Sequence, residues 1–294
     1  MTSDYSIETR NLAKTYHNGE AVLRGLDLKV PRGSVYGFLG RNGAGKTTAI
    51  RIVMGILRPD AGMVRVLGDP CLPMKLETRQ RVGYLSQDMK FFDWMTLDRL
   101  LAFTSSFYPS WDAAYADELA VRLDVPREIP VGALSRGERQ KAGLLLALAQ
   151  RPDLLVLDEP SASLDTVVRR EFLESIIDIL TREGITVLIS SQILTDVERI
   201  ADWVGILSEG KMLISAPLDD LKESIKRLRI SFPDGSPESI DLPGAIRTIR
   251  RDREILVTVK DFSPAGVDGL RSRFAGGVDV LDVDLEDIFI ELVR

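Results

Sequence analysis

The stretch Gly40-Arg41-Asn42-Gly43-Ala44-Gly45-Lys46-Thr47-Thr48 decides the fold. It fits Gly-x-x-x-x-Gly-Lys-Ser/Thr, a loop shaped to hold the phosphates of a nucleotide. Glycine lets the backbone take positive φ and come close to a ligand. The N–H groups of Asn42, Gly43, Ala44, Gly45, Lys46, Thr47 and Thr48 can then converge on an anion. Lys46 is suited to neutralise the terminal phosphates, and the Thr47 hydroxyl to meet a magnesium ion. Residues 34–39 in front are apolar and read as a buried strand. Residues 48–54 behind read as a helix, whose N-terminus favours an anion.

Further along, Leu154-Leu155-Val156-Leu157-Asp158-Glu159-Pro160 sets four aliphatic residues before two carboxylates. Such a run reads as a parallel strand buried on both faces. Ligands of open α/β sheets gather outside the carboxyl ends of strands. Asp158 is therefore read as the magnesium carboxylate, acting directly or through water. Glu159 is read as the general base that polarises the attacking water.

Around these two motifs the pattern alternates strand and helix, which implies a mostly parallel sheet covered on both faces. The first thirty-odd residues instead alternate polar with apolar, as antiparallel strands with one wet face do. The expected architecture is a phosphate-loop α/β domain over residues 1–220, with a helical part at about 88–150, and a small α+β domain over 221–294. Lys222–Arg229 reads as a basic helical or linker stretch between the two.

Composition narrows the class. The chain has 294 residues, enough for one large domain and a small one. A net charge of −6 gives no nucleic-acid footprint. The single cysteine, Cys71, excludes an internal disulfide framework and fits a reducing compartment. The N-terminus is polar and lacks the apolar core of a signal peptide. No apolar run reaches the roughly 18 residues of a spanning helix, so any membrane role is expected through a partner.

Between the two nucleotide motifs, Leu134-Ser135-Arg136-Gly137-Glu138-Arg139-Gln140 resembles the signature of ATP-binding cassette (ABC) ATPases, usually Leu-Ser-Gly-Gly-Gln. Read alone, it is also a helix start, with Ser135 as cap and Glu138 three residues on. Other marks of the family follow in order. Tyr16 matches the aromatic that stacks on adenine. Gln87 matches the glutamine joining the metal site to the transporter interface. Ser161-Ala-Ser-Leu-Asp165 matches the loop after the catalytic glutamate. The tail 284–293 and the segment 107–112 resemble the bacterial ABC-2 exporter branch. The resemblance spans about residues 5–220.

It implies ATP and Mg2+ as cofactors, with Gln87, Thr47 and Asp158 around the metal. It implies a second ABC ATPase subunit, as homodimer or heterodimer, with Ser135 and Gly137 facing the other chain's phosphate loop and Asp165 coupling the two sites. It further implies an integral membrane permease subunit, docked near Gln87, and no nucleic-acid partner. The apolar loop containing Phe91, Phe92 and Trp94 is the expected coupling surface. The chain is then expected on the inner face of the cell membrane.

The family pattern breaks in two places. Arg136 and Glu138 replace a glycine and a glutamine of the signature. Gln192 stands where a histidine usually contacts the γ-phosphate, and the chain's one histidine, His17, lies beside Tyr16. Glutamine donates a hydrogen bond but cannot become cationic. The expected activity is ATP hydrolysis that drives export, slowed by Gln192. The alternative is the degenerate-site half of a heterodimer or a mainly regulatory, slow ATPase.

Overall fold

The computed structural model describes residues 4–293 except Ser163, Asp234, Ser239, Ala275 and Gly276, and the chain divides into units Met1–Ser215 and Ala216–Arg294. The first unit runs β1 (Tyr5–Thr15), β2 (Ala21–Pro31), β3 (Val35–Gly40), α1 (Lys46–Val53), β4 (Ala61–Val66), β5 (Asp69–Pro70), α2 (Leu76–Arg79) and β6 (Val82–Leu85). It continues with α3 (Leu97–Ser105), α4 (Ala113–Arg122), α5 (Arg136–Leu148), β7 (Leu154–Asp158), α6 (Thr166–Glu183), β8 (Thr186–Ser191), α7 (Leu194–Ile200), β9 (Trp203–Ser208) and β10 (Lys211–Pro217), whose last two residues fall past the unit boundary.

The sheet that carries the site has the order β10-β9-β3-β8-β7-β6, in which β9, β3, β8, β7 and β6 run parallel to one another. Every residue of β7 is buried, which explains its unbroken apolar run. Leu154 and Val156 point into a cluster with Ile7, Leu26, Ile50 and Ile52, from β1, β2 and α1. Leu155 and Leu157 point the other way, against Leu97, Leu119, Leu145 and Phe172 of α3 to α6. Each such side chain stabilises the fold by about 1.5–3 kcal/mol. The two faces thus fix the strand firmly, and with it the carboxylates at its end. A second sheet, β2-β1-β4-β5, is antiparallel and covers the α1 side.

The second unit holds α8 (Leu218–Ser224), β11 (Lys226–Ser231), β12 (Ala245–Arg250), β13 (Glu254–Val259), α9 (Pro264–Arg273), β14 (Val278–Leu281) and α10 (Leu285–Leu292). Its antiparallel sheet has the order β12-β13-β11-β14. The expectation of a basic helical or linker stretch at Lys222–Arg229 is corrected here. A helix ends at Ser224 and a strand begins at Lys226. Leu228 and Ile230 enter the core with Ile255 and Val257. The arginines beside them pair with distant acids, Arg229 with Asp279 at 2.7 Å and Arg227 with Asp287 at 3.0 Å. A boundary at 220 would cut α8, which lies wholly in the second unit beyond Ser215.

Candidate nucleotide site

The phosphate loop connects β3 to α1. Gly43 and Gly45 take φ of +81° and +109°, the left-handed region that a side chain resists. At Gly45 a Cβ would also stand 2.8 Å from Leu23 Cδ2 and 3.0 Å from the Val22 carbonyl. Gly45 caps α1 with no side-chain bond of its own, so the first N–H groups of the helix face the loop's concavity. Ala44 lies beneath, its N–H donating to the Arg41 carbonyl at 3.1 Å and its carbonyl accepting from Gly210 N at 3.2 Å.

A cavity of about 440 Å³ opens over this loop. Its wall contains Asn42, Gly43, Gly45, Lys46, Thr47, Thr48, Gln87, Glu159 and Gln192, together with Glu20, Val22 and Arg41. Lys46 Nζ donates to the Gly40 carbonyl at 2.7 Å and lies 3.1 Å from Glu159 Oε1. Both side chains are buried, 6% and 8% exposed. The other oxygen, Glu159 Oε2, accepts from the Gln192 backbone N–H at 3.2 Å. So the two groups expected to bind phosphate and to accept a proton hold one another.

Glu159 itself has φ of +49°, a costly conformation for a residue with a side chain. Two bonds fix it. Its N–H donates to the Ser190 hydroxyl at 2.9 Å and approaches the Ser190 carbonyl at 3.2 Å. The same hydroxyl donates to Asp158 Oδ1 at 2.7 Å. Ser190 was not among the expected site residues. Its place follows from register, since Asp158 pairs with Ser190 across β7 and β8.

Thr47 Oγ1 donates to Asp158 Oδ1 at 3.3 Å. These two residues and Gln87 also line an adjoining cavity of about 200 Å³ with Tyr84. Burial, helped by the negative charge of Asp158, pushes the Tyr84 hydroxyl up to about 12. One carboxylate, one hydroxyl and one amide are hard oxygen donors of the kind magnesium takes. Among the described residues no group of three or more His, Cys, Asp or Glu could hold a metal. The donor set therefore fits an ion shared with substrate phosphates rather than a metal caged by protein alone.

The remaining expected residues fall elsewhere. The Tyr16 hydroxyl lies 3.2 Å from Thr48 Oγ1, with the ring 36% exposed. Ser135 caps α5 in a closed box. Its hydroxyl accepts from Glu138 N at 3.3 Å, and Glu138 Oε2 accepts from Ser135 N at 2.7 Å. The Ser135 side chain, and then its N–H, hold the Glu138 carboxyl below its usual value. Gly137 is buried, and a Cβ there would stand 2.5 Å from Val168 Cγ1. Asp165 caps α6, accepting from Val167 N at 3.1 Å and Val168 N at 3.2 Å. Ser163, in the same loop, lies outside the described residues.

Of the expected coupling aromatics, Phe92 and Trp94 are 49% and 65% exposed. They continue into Phe103 and Phe107, with ring centroids 5.7 Å (Phe92–Phe103) and 5.2 Å (Phe103–Phe107) apart. Phe91 differs: it is half-buried against the core cluster, under the Arg139 guanidinium. Its side chain is core as much as surface. His17 is exposed on the β1–β2 turn. Cys71 is buried, its thiol donating to the carbonyls of Ile52 and Val53 at 3.2 and 3.0 Å.

A loop of this shape between a parallel strand and a helix, facing two strand-end carboxylates, defines a phosphate-loop nucleotide-binding protein. A family model described as ABC transporter matches residues 23–162. The bacitracin transport ATP-binding protein BcrA of Bacillus licheniformis is 31% identical, over 98% of this chain and 97% of that one. The daunorubicin/doxorubicin resistance ATP-binding protein DrrA of Streptomyces peucetius is 33% identical, over 85% of this chain and 78% of its own. A solved ATP-binding subunit of an ABC transporter superposes with a TM-score of 0.66 at 25% identity, covering 74% of this chain and 92% of that one.

The chain belongs to the ATP-binding subunits of the ABC transporter family. Subunits of this family bind ATP, hydrolyse it to drive transport, dimerise, and work with membrane permease subunits. Among the described residues, no helix is long and apolar enough to cross a membrane.

Proposed function

We propose that this chain is the ATPase of an exporter, with Glu159 as the base and Lys46 as the phosphate-binding cation of one and the same switch. The 3.1 Å Lys46–Glu159 pair is the observation that carries this reading. Before substrate arrives, the carboxylate's proton-accepting lone pairs are engaged by Lys46 and by Gln192 N–H. A triphosphate on the loop draws Lys46 to the γ-phosphate and frees Oε1. Glu159 then takes a proton from the attacking water. The water oxygen bonds to the γ-phosphorus as the bond to the β–γ bridging oxygen breaks, and ADP leaves with the electron pair.

The donor set of Thr47, Asp158 and Gln87 suits Mg2+, which when bound would neutralise charge on the β- and γ-phosphates. Ser190 holds the Asp158 carboxylate in place for it. Tyr16 serves the adenine. Ser135 and Gly137 serve the γ-phosphate of a second subunit, because a capped helix N-terminus favours an anion. Asp165 sits in the seam between subunits. The exposed run Phe92, Trp94, Phe103 and Phe107 is read as the permease-docking surface, because aromatic clusters of this kind favour interfaces. That partner holds the chain on the cytoplasmic face of the membrane. Export is the direction usual for the ABC-2 branch that residues 107–112 and 284–293 resemble.

Gln192 stands at the γ-phosphate end with an amide in place of a cation. Losing one stabilising donor in such sites costs about 10²–10³ in rate, and glutamine retains part of it. Turnover by the full chain with its permease should therefore rise about tenfold in Gln192→His. An unchanged or lower rate in that variant overturns the account of the switch position. A Glu159→Gln variant that keeps full turnover overturns the assignment of the base.

A further inference from the structure

The wall of the main cavity is not uniform. Lys46 and the loop N–H groups make one part of it cationic. At another part stand Val22 and the carboxylate of Glu20. Both residues belong to the segment that enters β2, where positions two apart share a face. Val22 packs directly beside the loop, since its carbonyl would be 3.0 Å from a Cβ at Gly45. Glu20 thus stands one strand step beyond the phosphate loop.

Glu20 is not on a loose turn. Tyr16 N donates to the Glu20 carbonyl at 2.9 Å, and Gly19 N donates to the Tyr16 carbonyl at 2.9 Å. Glu20 N donates to Asn18 Oδ1 at 3.1 Å, and Asn18 Nδ2 donates back to Glu20 Oε2 at 3.3 Å. One carboxylate oxygen is thereby steered by the turn, while Oε1 has no partner among the described residues. No lysine or arginine among the described residues pairs with it. Arg41 lines the same wall.

An acceptor-only, negatively charged group is a poor neighbour for phosphate and a good one for a hydroxyl donor. A nucleoside triphosphate offers anions at one end and a vicinal diol next to its base. We infer that Glu20 reads the ribose of the nucleotide, accepting from its 2′- and 3′-hydroxyls, and so sets both the direction in which the triphosphate lies and a preference for ribonucleotides. This rests on the cavity being the nucleotide site proposed above. Because Glu20 is exposed, water can replace a missing hydroxyl, and the discrimination is modest, about tenfold.

The test is equilibrium binding of ATP, 2′-deoxy-ATP, 3′-deoxy-ATP and GTP to the full chain and to Glu20→Ala and Glu20→Gln. The wild type should bind ATP about tenfold more tightly than either deoxynucleotide. Glu20→Ala should bring those ratios within about twofold, with Glu20→Gln between, because an amide still accepts one hydrogen bond. Tripolyphosphate, which has no ribose, should bind Glu20→Ala no more weakly than wild type. Equal wild-type affinities for ATP and its deoxy forms overturn the inference, as does a ratio that survives Glu20→Ala. A substitution that shifts ATP against GTP instead would mean that the carboxylate reads the base, which also overturns it. Failure of the underlying site is distinguishable, since ATP affinity would then be indifferent to Lys46→Ala.

Discussion

The buried pair Lys46–Glu159 has a measurable energetic consequence. At 3.1 Å and an effective dielectric near 20, the Coulomb attraction is about 5 kcal/mol before desolvation is counted. Removing one partner of a buried pair costs about 3–5 kcal/mol, because the other charge is left uncompensated. Here the cavity admits water and Gln192 N–H remains on Oε2, so the lower end applies. Lys46→Met also takes a donor from the Gly40 carbonyl, a loss of about 1 kcal/mol. The substitution should therefore destabilise the first unit by about 3–4 kcal/mol when Glu159 is present. In a Glu159→Gln background only the Gly40 term remains, so the same substitution should cost about 1 kcal/mol. The coupling between the two positions is the difference, about 2–3 kcal/mol. Urea unfolding followed by tryptophan fluorescence reads this directly, since Trp94, Trp111 and Trp203 all lie in the first unit. Additive effects, with a coupling under about 0.5 kcal/mol, would refute the pair as an energetic unit.

Other outcomes follow from single contacts. Trp94→Ala should reduce copurification with the permease by at least about tenfold, as loss of an interface anchor does, while ATP affinity stays within about twofold. Retained assembly would return Trp94 to plain surface. Asp196 is buried, accepting from the Ser161 hydroxyl at 3.1 Å, and burial raises its carboxyl above the ordinary value of 3.8 despite Arg169. The folded state then binds the proton more tightly than the unfolded chain, so this group's favourable contribution is fully present below 3.8 and is lost as pH rises through the raised value. Asp196→Asn should accordingly raise stability at pH 7 and lose that advantage below the carboxylate range. A thermal-shift series against pH showing no such convergence contradicts it. Ser135→Ala should cost about 1 kcal/mol by breaking the α5 cap, measured by the same unfolding assay.

Much of this arrangement was legible because its determinants are local. The glycines at 43 and 45, the apolar run ending in Asp158 and the Ser135–Glu138 spacing each specify their own geometry within a few residues. What escaped was set by partners far along the chain. Ser190 gains its role only when β8 lies beside β7. Glu20 enters the cavity wall only when β2 packs on the loop. The strand Lys226–Ser231 hides behind alternating basic residues, because the acids that neutralise Arg227 and Arg229 come some fifty to sixty residues later. Phe91 and Phe92 are adjacent in sequence with the same side chain, and only the packing of α5 separates the half-buried one from the exposed one.

The central claim is that the loop at 40–48 binds the phosphates of ATP through Lys46. Its most direct test is the dissociation constant of magnesium-ATP for the full chain, with and without Lys46→Ala. Loss of this charged contact should weaken binding at least about thirtyfold. An affinity unchanged within about twofold, in a variant that unfolds at the expected denaturant concentration, would contradict the account.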